Sequence, residues 1–216
     1  EGGFPLSFPD KVMEETAKMK FEITEEDLVE RRDMRDTLTI TIDPFNARDF
    51  DDAISYKELG DGKIELGVHI ADVAHYVRPG TALDKEAYER ATSVYLPDRV
   101  SPMLPEKISN ELCSLRPNED KFTFSTVFIL DEKRNIIDAW IGRTITHSDH
   151  RFTYEDVQEI LEGKEGEYKK EVLAMNEISK DLRKKRFDKG AINFASSEVR
   201  FRLDEEGNPV EVVVKT

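Results

Sequence analysis

The stretch TIDPFNARDFDDAI, residues 41 to 54, constrains this chain more than any other, because it sets Asp43, Asp49, Asp51 and Asp52 between two strand-forming runs. Upstream, Leu38, Ile40 and Ile42 alternate with Thr39, Thr41 and Asp43, the period-two pattern of a strand with one buried face. Asp43 is therefore expected at the strand's end, on its polar face. Pro44 and Asn46 then break the strand into a turn, which can bring Asp49, Asp51 and Asp52 back toward Asp43 and make an acidic cup. Four carboxylates this close repel one another and raise one another's pKa unless a cation neutralises them. All-oxygen donors favour a hard ion, Mg²⁺ or Mn²⁺, and Mg²⁺ typically keeps several waters while binding substrate phosphates. Such an ion would clamp a phosphodiester and activate a water. The spacing is not that of a calcium EF-hand: Arg48 stands where that loop needs glycine, and Ile54 where it needs its bidentate glutamate. A solvated acidic loop is the bland alternative, and the hydrophobic strand residues on both sides of the cluster weigh against it.

Around this stretch the pattern alternates between periods. Asp10 is expected to cap a helix over Val12 to Met19, and Thr24, followed by acidic residues, to open a second. Ala53 to Leu59 and Lys63 to Val73 read as strands joined by the turn GDG, with Ile64, Leu66, Val68 and Ile70 marking the second strand's buried face. A second metal site from His69, Asp72 and His75 is disfavoured, since His69 and Asp72 project to opposite faces of a strand. The histidines are better explained as packing or hydrogen-bonding groups. Thr81 to Thr92 has helical spacing, three prolines make SVYLPDRVSPMLP a loop, and Glu106 to Leu115 reads as a short helix. Phe122 to Leu130 and Ile136 to Ile145 form an expected hairpin whose Phe122, Phe124 and Trp140 are assigned to sheet core. Thr153 with Asp156 begins a capped helix, and a longer helix striped by Val172, Met175, Ile178 and Leu182 ends in Arg183, Lys184, Lys185 and Arg186. That basic run is the densest in the chain and the best candidate for touching a nucleic-acid backbone. Interleaved helices and hairpin-linked strands give an α+β fold with a mixed, mostly antiparallel sheet and surrounding helices.

A net charge of −14 argues against a nucleic-acid binder unless metal offsets part of the acidic cup or more basic domains accompany it. The single cysteine, Cys113, excludes an internal disulfide and sits in an apolar, helix-like setting that suits a packing role. The sequence has neither an apolar run long enough to span a membrane nor a signal peptide, which fits a cytoplasmic protein.

Taken in order, TIDPFNARDFDDAI, GVHIADVAHYV (67 to 77), SVYLPDRVSPMLPEKISNELCSLRP (93 to 117) and GAINF (190 to 194) closely resemble the catalytic domain of the ribonuclease II/ribonuclease R family, from about Arg31 onward. The resemblance implies a processive 3′→5′ exoribonuclease that hydrolyses single-stranded RNA to nucleoside monophosphates with Mg²⁺, held by Asp43, Asp49, Asp51 and Asp52. It also implies that Tyr95 packs against the 3′-terminal nucleotide and that Phe194 stacks across from it. Residues 1–36 are then a helical linker from a preceding cold-shock-type RNA-binding domain, and residues 37–216 the N-terminal portion of the catalytic domain. The family's downstream arginine and glutamate have no matching position before Thr216, so a remaining catalytic segment is expected in a longer parent. A catalytically inactive RNA-binding or assembly module with the same fold is the alternative from another class, and a metal-dependent phosphatase or nuclease of another family a third.

Overall fold

The structure, a computed structural model, describes residues 5–96, 99–193, 198–204 and 209–215. Helix α1 (Asp10–Lys18) starts behind Pro9, with Asp10 as its first helical residue rather than its cap. Helix α2 (Glu25–Glu30) is closed by a capping box in which Thr24 and Asp27 satisfy each other's backbone N–H. Strands β1 (Arg32–Asp33), β2 (Thr39–Asp43), β3 (Asp52–Gly60) and β4 (Lys63–Ala71) follow, then the short α3 (Val73–Tyr76) and α4 (Ala82–Arg90). Gly60, Asp61 and Gly62 all take positive φ in the β3–β4 turn, which explains the GDG sequence. The proline-rich loop carries a small antiparallel ribbon, β5 (Val94–Tyr95) and β6 (Val100–Ser101), and a π-helical turn, Lys107–Leu112, replaces the expected α-helix. Beyond it lie β7 (Asp120–Leu130), β8 (Ile136–His147), β9 (His150–Thr153), α5 (Tyr154–Leu161), α6 (Lys169–Asp188) and the hairpin β10 (Glu198–Leu203) and β11 (Pro209–Lys215).

The main sheet runs β1-β8-β7-β4-β3-β2-β9, antiparallel except that β1 lies parallel to β8 and β2 parallel to β9. Its shape follows from one short link. Strand β8 ends at His147, paired with Asp120, and β9 begins at His150, paired with Ile40. Three Cα steps reach at most about 11 Å, whereas five interstrand spacings on a flat sheet would separate these strands by about 24 Å. The sheet must therefore curl until its two sides approach. The seam is visible in the hydrogen bonds: the Asp149 N–H donates to the Thr39 carbonyl (2.8 Å) and the Thr39 N–H to the Asp149 carboxylate (2.8 Å). The crossing from Met34, whose N–H bonds Ile145, to Leu38, whose carbonyl accepts from Tyr56, closes the same gap.

The curl decides which side chains are inside. On β4 the apolar residues Ile64, Leu66, Val68 and Ile70 do not form the buried face; Val68 and Ile70 are 38% and 48% exposed on the convex side, while Glu65, Gly67, His69 and Ala71 are buried. The concave side of the curled sheet is tightest around Gly67, where small residues pack about the buried His69 ring. A Cβ on Gly67 would lie 2.3 Å from Ser55 Oγ and 2.6 Å from His69 Nε2. Strand β2 likewise departs from a one-faced pattern, because Thr39 and Thr41 fill the interior as Ile40 fills the exterior, and all three are buried. Hydroxyls satisfy one another inside: Thr123 Oγ1 meets Thr144 Oγ1 at 2.6 Å, and His69 Nδ1 meets Ser125 Oγ at 2.7 Å.

The convex side is partly covered. Ile40, Phe152, Ile160 and Val172 pack one cluster with α5 and α6, and Tyr56, Leu130 and Ile178 pack a second. Phe122 is buried as expected, but Phe124, beside Ile70 on the convex face, is 48% exposed, and Trp140, on the inner face opposite Val127, is 37% exposed with the Arg32 guanidinium 5.4 Å from its ring. The largest cluster joins Val12 of α1, Leu83 of α4, Ile108, Cys113 and Phe122 at the end of the sheet nearest the aspartate loop. Residues 31–36 are woven into this end: buried Arg31 donates to Asp72 at 2.8 Å and lies 4.3 Å over the Phe122 ring. The remaining histidines also have partners, His75 with Arg31, His147 with Asp120 and His150 with Glu167. No described helix is long and apolar enough to cross a membrane.

Burial holds the His69 imidazole neutral, lowering its pKa from 6.5 to about 4. The unfolded chain takes up that proton near pH 6.5 and the folded chain only near 4, so the stability His69 contributes is complete above pH 6.5 and is lost as the pH falls between those values. The loss should approach about 3 kcal/mol at the low end. Thermal unfolding at pH 7.5 and pH 4.5 should show a smaller drop for His69→Gln than for the wild type; equal drops would place the titration elsewhere.

Candidate active site

The aspartate loop is built from its two ends. Asp43 is the last residue of β2, opposite Thr153 of β9, and Asp52 is the first of β3, opposite Ile70. Between them the turn at Pro44 closes with an Ala47 N–H to Pro44 carbonyl bond of 3.0 Å. Arg151, projecting from β9, donates to the carbonyls of Pro44 (2.7 Å) and Phe45 (2.9 Å) and pins that turn against the sheet. On the return, the Ser114 hydroxyl accepts from the Phe50 N–H (3.0 Å) and donates to the Arg48 carbonyl (2.9 Å), while the Leu115 N–H donates to the Phe50 carbonyl (2.9 Å). Phe50 is thereby buried as an anchor, and Asp49 and Asp51 on either side of it turn outward. The Asp51 carbonyl accepts from the Ala71 N–H (2.9 Å), which registers the loop against β4.

Asp49 and Asp51 open into a cleft of about 1260 Å³ together with Tyr95, Arg48, Asn46 and Glu106. That is above the ~300–1,000 Å³ typical of a small-ligand pocket. Ser109 and Asn110 of the π-helical turn, and Val199 and Phe201 of β10, complete its walls. Asp43, half-buried, and Asp52, exposed, are not part of this lining. They are nonetheless coupled to it: burial first, then the charges of Asp52 and Asp49, raise the Asp43 carboxyl above its ordinary pKa, with the Thr41 hydroxyl and then Arg151 opposing. Asp43 Oδ2 is buried without a hydrogen-bond partner. Asp51 has solvent-exposed surface yet lies low in the cleft, and its carboxyl is raised by desolvation and then by Asp49 and Asp52. Among the described residues no three His, Cys, Asp or Glu side chains converge into a ready-made metal cage.

Tyr95 is 70% exposed at the cleft wall. Desolvation and then the charges of Asp49 and Asp51 raise its phenol pKa. Phe194, expected across from it, lies outside the described residues; Phe201, 47% exposed, is the aromatic that the described part of the cleft presents. Sequence reasoning did not single out Glu106, Ser114, Arg151 or Phe201, because their partners are distant in sequence and no local spacing marks them. Cys113 is buried, its thiol pushed up to about 12 by desolvation, and is a packing residue. The basic run at the end of α6 lines a different groove: Arg183, Lys185 and Arg186 border Ile54, Val68 and Ile178 in a space of about 690 Å³.

The RNB domain is matched by residues 31–216. The chain is 42% identical over 214 residues to ribonuclease R of Aquifex aeolicus, covering 96% of the chain and 30% of that protein. Among solved structures, Mycoplasma genitalium RNase R in complex with ribose methylated single-stranded RNA superposes with a TM-score of 0.89 at 30% identity, over 99% of this chain and 34% of that one. Yeast Ssd1, a pseudonuclease, gives 0.68 at 25% identity over 77% of this chain and 21% of that one. The chain spans a third or less of the length of the first curated relatives it matches.

Ser114→Ala should strand the buried Phe50 N–H and release the Arg48 carbonyl, at a cost of about 1–3 kcal/mol. A lower melting temperature together with faster hydrogen exchange at residues 48–52 is the expected result. A variant as stable and as protected as the wild type would show that the loop is held by its other contacts.

Proposed function

The chain belongs to the RNB-domain family of ribonucleases, and from that premise we propose that it forms part of a divalent-metal-dependent 3′→5′ exoribonuclease acting on single-stranded RNA and releasing nucleoside monophosphates. The observation that carries the reading is the joint placement of Asp49, Asp51 and Tyr95 on the walls of one cleft. Asp43 and Asp52 lie outside that lining but are near enough for their charges to couple to it. Such a cleft repels a phosphodiester unless a cation enters with it. The donor set fits a hard ion that takes one or two protein carboxylates and fills its remaining positions with water and substrate phosphate, rather than one caged by protein alone. Mg²⁺ or Mn²⁺ held by Asp43, Asp49, Asp51 and Asp52, directly or through water, would supply Lewis-acid stabilisation and a lowered water pKa.

The chain's own residues do the rest. The partnerless oxygen of Asp43 and the raised carboxyls of Asp43 and Asp51 are a set whose mutual repulsion a bound cation would relieve. Ser114 and Arg151 keep the loop from splaying under that repulsion. Tyr95 offers a rigid aromatic face to the terminal base, a contact tolerant of sequence. RNA strands, the preceding cold-shock-type domains and the remaining catalytic segment are the partners of this reading, and a cytoplasmic setting goes with it.

A second reading, a catalytically inactive RNA-binding module, is favoured by the absence of a three-carboxylate cage among the described residues and by the likeness to a pseudonuclease. In the full-length protein, Asp51→Asn should lower turnover of labelled single-stranded RNA far more than RNA affinity; equal losses would contradict its assignment to metal chemistry, and binding without turnover in the wild type would favour the second reading. Millimolar Mn²⁺ should raise the melting temperature more with a short RNA present than alone. Tyr95→Ala should remove a contact worth about 1–3 kcal/mol and lengthen the limit product while catalysis survives; an unchanged limit product in a destabilised protein would make Tyr95 a packing residue.

A further inference from the structure

Arg90 closes α4, and its side chain is only 4% exposed although it carries a full positive charge. Burying a guanidinium is unfavourable unless its donors are met, and here four bonds meet them. Nε donates to Glu86 (2.9 Å), Nη1 to the carbonyls of Pro5 (2.9 Å) and Pro102 (3.1 Å), and Nη2 to the carbonyl of Ser7 (2.6 Å). Its plane also lies 3.8 Å from the Phe8 ring. An arginine that served only to end a helix would need Glu86 alone. Three of these bonds instead reach two remote segments, residues 5–8 and the outgoing stem of the β5–β6 ribbon. That stem is fastened to the same strap a second time, by Ser101 Oγ donating to the Pro5 carbonyl (2.9 Å). The incoming stem is held too: the Thr92 N–H donates to the Arg90 carbonyl (2.7 Å), and the Met103 N–H to Ser93 Oγ (2.9 Å).

This ribbon carries Tyr95, and Ser93, Tyr95, Pro102 and Met103 all line the aspartate cleft. The ribbon is a two-stranded sheet separate from the main one, so the bonds that grip its stems help to set its stance. We propose that Arg90 is a positioning residue for Tyr95: by gathering the carbonyls of Pro5, Ser7 and Pro102 it straps the N-terminal segment to the base of the ribbon and sets the tyrosine's place over the cleft. The proposal rests on the reading that Tyr95 stacks on the terminal base. It makes residues 5–8 a structural part of the site, although they lie outside the RNB match. Lysine cannot substitute, since only the planar fork reaches three carbonyls and a carboxylate at once.

The test uses the full-length protein and nuclease-resistant, 2′-O-methylated single-stranded RNA carrying 2-aminopurine either at the 3′ end or at the 5′ end. Tyr95→Ala should abolish the change in fluorescence of the 3′-terminal probe on binding. Arg90→Gln and Arg90→Lys should each weaken that terminal contact by about five-fold, the lower end of what one base stack supplies, and leave the 5′ probe unaltered. Failure of lysine to rescue separates positioning from simple charge at a helix end. Ser101→Ala, which spares Arg90 but removes the strap's second bond to the ribbon, should give a terminal loss in the same direction and serves if the Arg90 variants do not fold. If Tyr95→Ala loses the signal while the folded Arg90 variants and Ser101→Ala keep it, the proposal is overturned. If Tyr95→Ala itself behaves as wild type, the stacking reading has failed, and this assignment with it.

Discussion

The two residues between β8 and β9, Ser148 and Asp149, join strands that stand at nearly opposite ends of the sheet order, and the rest of the domain follows from that short reach. The sheet curls, Asp149 stitches the seam by exchanging hydrogen bonds with Thr39, and the concave side shrinks to a space filled largely by glycine, alanine, serine and threonine around the buried His69. The same seam lays β9 beside β2. Arg151 then comes within reach of the carbonyls of Pro44 and Phe45, so the turn that follows Asp43 is held by the strand that the curl brought to it.

A hydroxyl-lined interior is a costly choice unless its groups find partners. Thr123, Thr144, Ser125 and His69 form such a chain. Its continuation toward β2 is incomplete: Ser55 Oγ, His69 Nε2 and Thr41 Oγ1 are buried without a protein partner. The consequence for the outer face is as important. With small residues facing inward on β4, its aliphatic side chains and the Phe124, Phe128 and Leu130 of β7 point outward, where α6 covers some of them and leaves Val68, Ile70 and Phe124 in part exposed.

At the site the organising force is repulsion held in check. Asp49 and Asp51 face the cleft, Asp43 and Asp52 are coupled to them through charge, and the carboxyls of Asp43 and Asp51 are raised first by desolvation and then by their acidic neighbours. The loop keeps this shape because its strain is carried by bonds to the scaffold: Ser114 on one side, Arg151 on the other, and the Ala71 N–H beneath Asp51. A buried arginine plays the equivalent part at the N-terminal side, where Arg31 ties the chain ahead of β1 to Asp72 and Phe122.

Much of this was legible in the sequence. Period-two runs located β2, β3, β4, β7 and β8, Thr–Asp pairs located the starts of α2 and α5, and the clustered aspartates located the loop. Ordered motifs carried the family. These are local signals, set by backbone propensity, capping and spacing along the chain. What sequence by itself misassigned was the buried face of β4, because alternation tells two faces apart but not which one is concave. Nor could it foresee that Asp49 and Asp51 line the cleft while Asp43 and Asp52 do not, that Phe201 and Glu106 join them, or that the basic end of α6 borders another groove. Those outcomes depend on the curvature that a two-residue link imposes on the sheet and on bonds such as Ser114 to Phe50 and Arg90 to Pro5. They join residues far apart in the chain, and only the closed fold brings such partners within hydrogen-bonding distance.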